Sequence, residues 1–280
     1  MIDLEEYHPD DYKLRDIKSA KKEVDNIVDI ITTPTEEISL KTREDISKKT
    51  VRNFRDHINK GFLDYRKSVT EATGFAVTEW TGQGSVLVDA LDRQFLDLLG
   101  GFGLYSYGIR HPKIVAAVKS QLDRSPQYSQ EMLDPLRAQL AKILALLTPG
   151  KIQYGFFANS GTEAVDGAMK LAKLYTGKKG FISTLKAFHG KSLGALSLMG
   201  KQVFRKPLLP LLDGIRQAPF GDLNALEQEL KSARAVGDDI AAVVLEPIQG
   251  EAGAIVPPDE YLPGVRELCD HYGVLMICDE

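Results

Sequence analysis

The chain has 280 residues, 43% of them hydrophobic, which is enough apolar material for one large core or two smaller ones. Its formal net charge is -4, with acidic and basic residues mixed throughout, so no basic field argues for nucleic acid and no polybasic patch for an anionic membrane. The acidic start Met1-Ile2-Asp3-Leu4-Glu5-Glu6 is unlike a signal peptide and no uncharged apolar run reaches membrane-spanning length, so a cytoplasmic protein without a membrane partner is expected.

Residues 1–60 form a first, helical segment, dense in Lys, Glu and Asp. Leu14, Ile17, Val24, Ile27 and Ile31 recur at helical spacing and predict an amphipathic helix, which Thr33-Pro34 interrupts. A second helical pattern puts Val51, Phe54 and Ile58 on one face before Gly61. Residues 61–150 form a second segment, with a hairpin predicted between Gly84 and Gly103. In it Val86 to Val88 and Phe95 to Leu99 are the strands and Asp89 to Arg93 the turn. Gly100-Gly101-Phe102-Gly103 reads as a flexible loop, and Pro112 to Leu122 and Pro135 to Leu147 as helices, the latter capped by Asp134.

A different rhythm sets in over residues 151–280: strand 152–158, helix 162–175, strand 180–184, short helix 191–199, strand 215–218, helix 223–236, strand 240–245, helix 260–272 and strand 273–278. Strands alternating with helices predict an α/β fold, a mostly parallel sheet with helices on both faces. Cys269 and Cys278 fall in a helix and a strand pattern and are expected to be buried thiols, and the five histidines show no metal-ligand spacing, so no metal is expected.

In such sheets ligands sit outside the carboxyl ends of the strands, where three features fall: Ser160-Gly161-Thr162, Ala187-Phe188-His189-Gly190, and Asp279 after an apolar strand. The first follows a strand pattern and opens a helix, so its N–H groups suit a phosphate. Ser160-x-x-Glu163 is equally a capping box, in which nothing binds. A P-loop reading of Gly190-Lys191-Ser192 fails, because the glycine that must stand five positions earlier is Leu185. Pyridoxal phosphate (PLP) chemistry needs a phosphate cup, an aromatic cover and a carboxylate on the pyridine nitrogen. Ser160, Gly161 and Thr162 suit the first role, Phe188 with His189 nearby the second, and Asp279 the third. Singly, Phe188 could be core, His189 a satisfied turn residue and Asp279 a solvated strand end.

Phe157-Ala158-Asn159-Ser160-Gly161-Thr162-Glu163-Ala164, Ala187-Phe188-His189-Gly190, Glu246-Pro247-Ile248-Gln249-Gly250-Glu251 and Asp279-Glu280 resemble, in order and spacing, the class III aminotransferases of PLP fold type I. Within that family the chain is most similar to members acting on putrescine, through Gly61 to Ser68, Leu133 to Arg137, Leu147 to Lys151 and Phe204-Arg205-Lys206-Pro207. The resemblance covers about residues 45 to 280, and residues 1–44 match less clearly.

The resemblance implies transfer of an amino group from putrescine or a similar diamine to 2-oxoglutarate, giving 4-aminobutanal and glutamate. An ornithine or acetylornithine type of ω-amino acid aminotransferase, or a non-catalytic PLP-binding chain, are the alternatives. It also implies a homodimer with shared sites, the loop Gly100 to Tyr107 and the N-terminal helices being candidate interface parts, and a place for Glu246 and Glu251 on the substrate side. The family pattern continues past Asp279-Glu280 to a Schiff-base lysine and a C-terminal domain, so the chain reads as a fragment, inactive alone. Lys170, Lys173 and Lys191 read as surface residues.

Overall fold

The computed structural model describes residues 17–34, 37–59, 61, 63, 69–70, 75–125, 129 and 131–280. Leu14, Phe62 and residues 64–68, on which parts of the sequence reading rest, lie outside them. The chain divides into two units, Met1–Met132 and Leu133–Glu280.

In the first unit, α1 (Ile17–Thr32) ends at the expected Thr33-Pro34 break, and α2 (Leu40–Asn53) starts at Ser39, whose hydroxyl accepts from Thr42 N–H. A π-helical turn, Phe54–Asn59, continues α2. Two short strands, β1 (Val69–Thr70) and β2 (Phe75–Ala76), pair antiparallel. The expected hairpin, β4 (Val86–Asp89) with β5 (Gln94–Leu96), gains a third strand, β3 (Glu79–Gln83). Gln83 pairs with Val86, so Gly84-Ser85 is a two-residue hairpin turn, and Gly84 takes the positive φ of 60° that such a turn needs. Two glycines so close hid this strand in the sequence. Buried Asp89 ties the next turn by accepting from the N–H groups of Leu91 and Arg93 and from the Arg93 guanidinium. Gly100–Gly103, expected as a loop, is a tight 3-10 turn with Gly101 and Phe102 at positive φ, and α3 (Pro112–Arg124) follows.

The second unit opens with α4 (Pro135–Leu147), and the Asp134 carboxylate caps it by accepting from Leu136 and Arg137 N–H. Residues 152–158 form no strand: they lie exposed beside no ladder partner, and a strand is defined by its partner's hydrogen bonds. α5 (Gly161–Thr176), β6 (Gly180–Thr184), α6 (Leu193–Leu198), β7 (Ile215–Ala218), α7 (Leu223–Val236), β8 (Ile240–Leu245), α8 (Tyr261–Tyr272) and β9 (Leu275–Cys278) then follow the predicted rhythm within a few residues.

The four strands form one parallel sheet in the order β7-β6-β8-β9. β6 and β8 are buried along their whole length, and successive side chains serve opposite cores. Ile182, Val243 and Leu245 pack with Leu226 and Leu230 of α7 and Tyr261, Val265 and Cys269 of α8. Phe181, Ala242 and Val244 pack on the other face with Val165 and Met169 of α5 and Ala195 and Leu198 of α6. Cys269 is buried as expected, whereas Cys278, at the end of an edge strand, is exposed. No helix among the described residues is long and apolar enough to cross a membrane.

Candidate active site

β6, β8 and β9 are neighbours, and the segments leaving their carboxyl ends carry Phe188 and His189 (185–192 after β6), Glu246 and Glu251 (246–255 after β8) and Asp279 (after β9), while Ser160, Gly161 and Thr162 open α5. The Asp279 N–H still donates to Leu245 O at 2.9 Å, so the sheet itself sets the height of Asp279 above the core.

The α5 N-terminus is capped as a capping box predicts. The Ser160 hydroxyl accepts from Glu163 N–H, and Glu163 Oε2 accepts from Asn159 N–H at 2.7 Å, one residue further back than in the usual box. Those bonds leave the N–H groups of Gly161 and Thr162, which have no partner inside the helix, directed out of its positive end. Gly161 is exposed, and nothing lies within 4 Å of the place where a Cβ would stand, so there is room for an anion. The cap and the cup are therefore compatible.

Thr162 is joined to the segment after β6. Its Oγ1 accepts from Ser192 N–H at 3.0 Å and lies 2.7 Å from the Ser192 hydroxyl. Gly190 is pressed against Thr162 at a φ of 121°, and a Cβ there would overlap the threonine side chain. Only glycine meets both demands.

Two residues before Gly190, Phe188 is half-buried, its ring edge-to-face with Phe204 at 5.9 Å between centroids. Its neighbour His189 has a fully buried ring, with Nδ1 donating to Asp279 Oδ2 at 2.9 Å and Nε2 3.4 Å from the Ser183 hydroxyl. Because a carboxylate only accepts, the proton on Nδ1 is assigned from its partner. His189 thus stands behind Asp279 and orients it. One segment, 187–192, holds the aromatic ring, braces Asp279 and abuts the α5 N-terminus.

The two acidic candidates differ. Glu246 is buried with Oε2 3.4 Å from the Phe188 N–H. Burial pushes its carboxyl above the ordinary value and the nearby Asp279 charge adds to this, while the Phe188 and Gly250 N–H groups and His189 oppose it. Glu251 is partly exposed and faces Lys201, whose Nζ donates to Glu251 O at 2.6 Å and lies 3.3 Å from Oε1. Lys170, Lys173 and Lys191 are exposed, with Lys191 over the Phe204 ring and Lys173 over that of Phe181.

Two contributors escape a reading of the sequence. Fully buried Gln249 donates through Nε2 to Thr184 Oγ1 and Leu185 O, fastening the 246–255 segment to the end of β6, and its backbone pairs with Ile255. Its place inside the quoted acidic motif was the available signal. Lys201 carries no sequence signal at all, because its partner is 50 residues away.

A positive helix end open to an anion, an aromatic ring, and an oriented carboxylate fit the three parts of PLP: phosphate, ring and pyridinium. The family model described as aminotransferase class-III matches residues 67–280. Among solved structures, the chain is similar to an amine transaminase from an uncultivated Pseudomonas species with PLP bound, at 27% identity and a TM-score of 0.70 over 77% of this chain and 54% of that one. It is similar to an (S)-enantioselective omega-transaminase from Thermomicrobium roseum, at 25% identity and a TM-score of 0.71 over 82% and 56%. It shares the fold of the taurine:2-oxoglutarate aminotransferase of Bifidobacterium kashiwanohense, at 24% identity and a TM-score of 0.71 over 83% and 55%. The chain spans about half the length of these structures.

Proposed function

The chain belongs to the class-III aminotransferases, a family that binds PLP, and from that premise we propose that the whole protein moves the amino group of putrescine or a similar diamine to 2-oxoglutarate. The products are 4-aminobutanal and glutamate. The observation that carries the reading is the Asp279–His189 pair, because the same short segment that orients this anion also bonds to Thr162 at the α5 N-terminus.

In this reading Ser160, Gly161 and Thr162 hold the phosphate, Phe188 covers one face of the ring, and Asp279 pairs with the pyridine N–H while His189 keeps its carboxylate turned inward. When bound, PLP supplies an electron sink that acidifies the donor C–H and stores the amino group between two half-reactions. Glu246, buried with Oε2 3.4 Å from the Phe188 N–H, stays on the substrate side in this reading, next to the segment that carries the ring. Glu251, partly exposed beside Lys201, remains the group suited to a donor's distal ammonium, since it is a carboxylate within reach of solvent.

A homodimer and a cytoplasmic setting belong to the same proposal. Phe102, Leu104 and Tyr107 are 81%, 77% and 78% exposed in the loop expected at an interface, and exposed apolar surface of this kind favours a second copy. An ornithine-type substrate is the competing reading. The test incubates the intact protein and PLP with 1,4-diaminobutane and 2-oxoglutarate and follows glutamate. Glutamate formation, with initial rates giving the parallel lines of a two-stage exchange, supports the proposal. Glutamate from ornithine but not from the diamine overturns the donor assignment.

A further inference from the structure

We propose that Lys201 sets the amine-donor selectivity of this site by covering Glu251. The inference rests on the reading above, in which Glu251 receives the distal ammonium of the donor.

Lys201 and Glu251 sit on segments fastened to the same turn. On one side, Gly200 donates its N–H to Ala187 O and accepts from Lys186 N–H. A Cβ on Gly200 would overlap the backbone of Thr184, Leu185 and Lys186, so the two segments touch without a side chain between them. Arg205 draws in the residues before Lys201 by donating to Ser197 O and Met199 O. On the other side, Gln249 grips Thr184 and Leu185 through its buried amide, two residues before Glu251. Backbone placement at both ends is therefore decided by the end of β6, and the Lys201–Glu251 pair is not a chance meeting of two surface chains.

The pair is asymmetric. The 2.6 Å bond to the Glu251 carbonyl keeps the lysine in place, while the 3.3 Å approach to Oε1 is longer and gives way more readily. Lys201 and Glu251 side chains are 23% and 41% exposed, so an arriving cation can reach the carboxylate from solvent. A diamine whose distal ammonium engages Glu251 meets a carboxylate whose charge Lys201 already offsets at Oε1, and so competes with the lysine for it. An amine with an uncharged tail leaves the lysine where it is. Lys201 therefore works against dications and is neutral towards monoamines.

The test compares wild type with Lys201→Met, Lys201→Arg, Glu251→Gln and the Lys201→Met/Glu251→Gln double variant in the intact protein. Two readouts are used: kcat/KM for 1,4-diaminobutane against butylamine, and calorimetric binding of the unreactive dication N,N,N′,N′-tetramethyl-1,4-butanediamine against N,N-dimethylbutylamine. Lys201→Met should raise the dication-to-monocation ratio about three- to fivefold in both, the range of a partly exposed ion pair. Lys201→Arg should restore the wild-type ratio, and in the Glu251→Gln background Lys201→Met should change nothing. A merely structural lysine would lower both donors alike and leave the ratio unmoved, and that result overturns the proposal. A lower ratio in Lys201→Met, or the same rise without Glu251, overturns it too. If wild type transfers no amino group from either donor, the transaminase reading fails and this inference falls with it. Transfer by wild type with an unmoved ratio sinks the Lys201 role alone.

Discussion

His189 stands directly behind Asp279: its ring is fully buried, and Nδ1 donates to Asp279 Oδ2 across 2.9 Å. The bond uses one carboxylate oxygen and fixes the rotamer, leaving the other oxygen for a second donor. Asp279→Ala should lower kcat by on the order of a thousandfold, the scale of losing a preorganised charge. His189→Asn should cost about ten- to hundredfold, as expected for a residue acting through another. Steady-state kinetics beside the PLP absorbance of the dialysed protein would check both, and full activity in Asp279→Ala would remove the carboxylate from the mechanism.

Gly190→Ala tests the contact between the aromatic segment and the phosphate cup. The new Cβ meets Thr162 at a φ of 121°, so strain and overlap add. We expect a stability loss of about 2 to 4 kcal/mol by urea unfolding. PLP should also stabilise the variant less, because Thr162 must shift.

Ser160→Ala separates the cap from the cup. Loss of the Glu163 N–H bond should cost about 1 kcal/mol in PLP-free protein. If Ser160 also holds phosphate, the rise in Tm caused by PLP should shrink as well. An unchanged rise would leave Ser160 as a helix cap only.

Glu246 predicts a pH dependence. Its carboxyl lies above the ordinary value, first through burial, so the folded protein holds this proton more tightly than the unfolded chain does. The associated stability is complete below the unfolded pKa and is lost as pH rises through the folded one. Glu246→Gln, which cannot ionise, should therefore gain on wild type as pH rises through and above the ordinary carboxyl range in chemical denaturation. A constant difference across that range would show that the carboxyl does not titrate there.

Buried Cys269 has its thiol pushed up to about 11, first by burial, so almost no thiolate forms near neutrality. Iodoacetamide at pH 8 should leave it unmodified in the folded protein, and peptide mapping would reveal labelling after denaturation only.

How far the sequence reached depends on the range of the interaction. The parallel sheet was legible because its signal is local: apolar runs such as Ile240–Leu245, helices at a 3.6-residue period, and glycines ending them at Gly177, Gly237 and Gly273. The Asp134 and Ser160 caps were legible for the same reason, as side chains reaching N–H groups two or three residues away. Residues 152–158 were misread because a strand needs a partner, and an apolar run does not say whether one lies beside it. β3 was missed because two glycines concealed a ladder that only pairing reveals.

At the site, the sequence by itself determined which residue types stand at a helix start and at a strand end, since Ser160-Gly161-Thr162 opening α5 and Asp279 following β9 are short-range facts. The tertiary structure decided their roles. His189 became a brace for a residue 90 positions away, and Glu246 turned to a backbone N–H 58 positions away. Glu251 acquired a lysine that no spacing announces. Those partners meet only because parallel strands bring their carboxyl ends to one edge, and that geometry comes from burying both faces of β6 and β8.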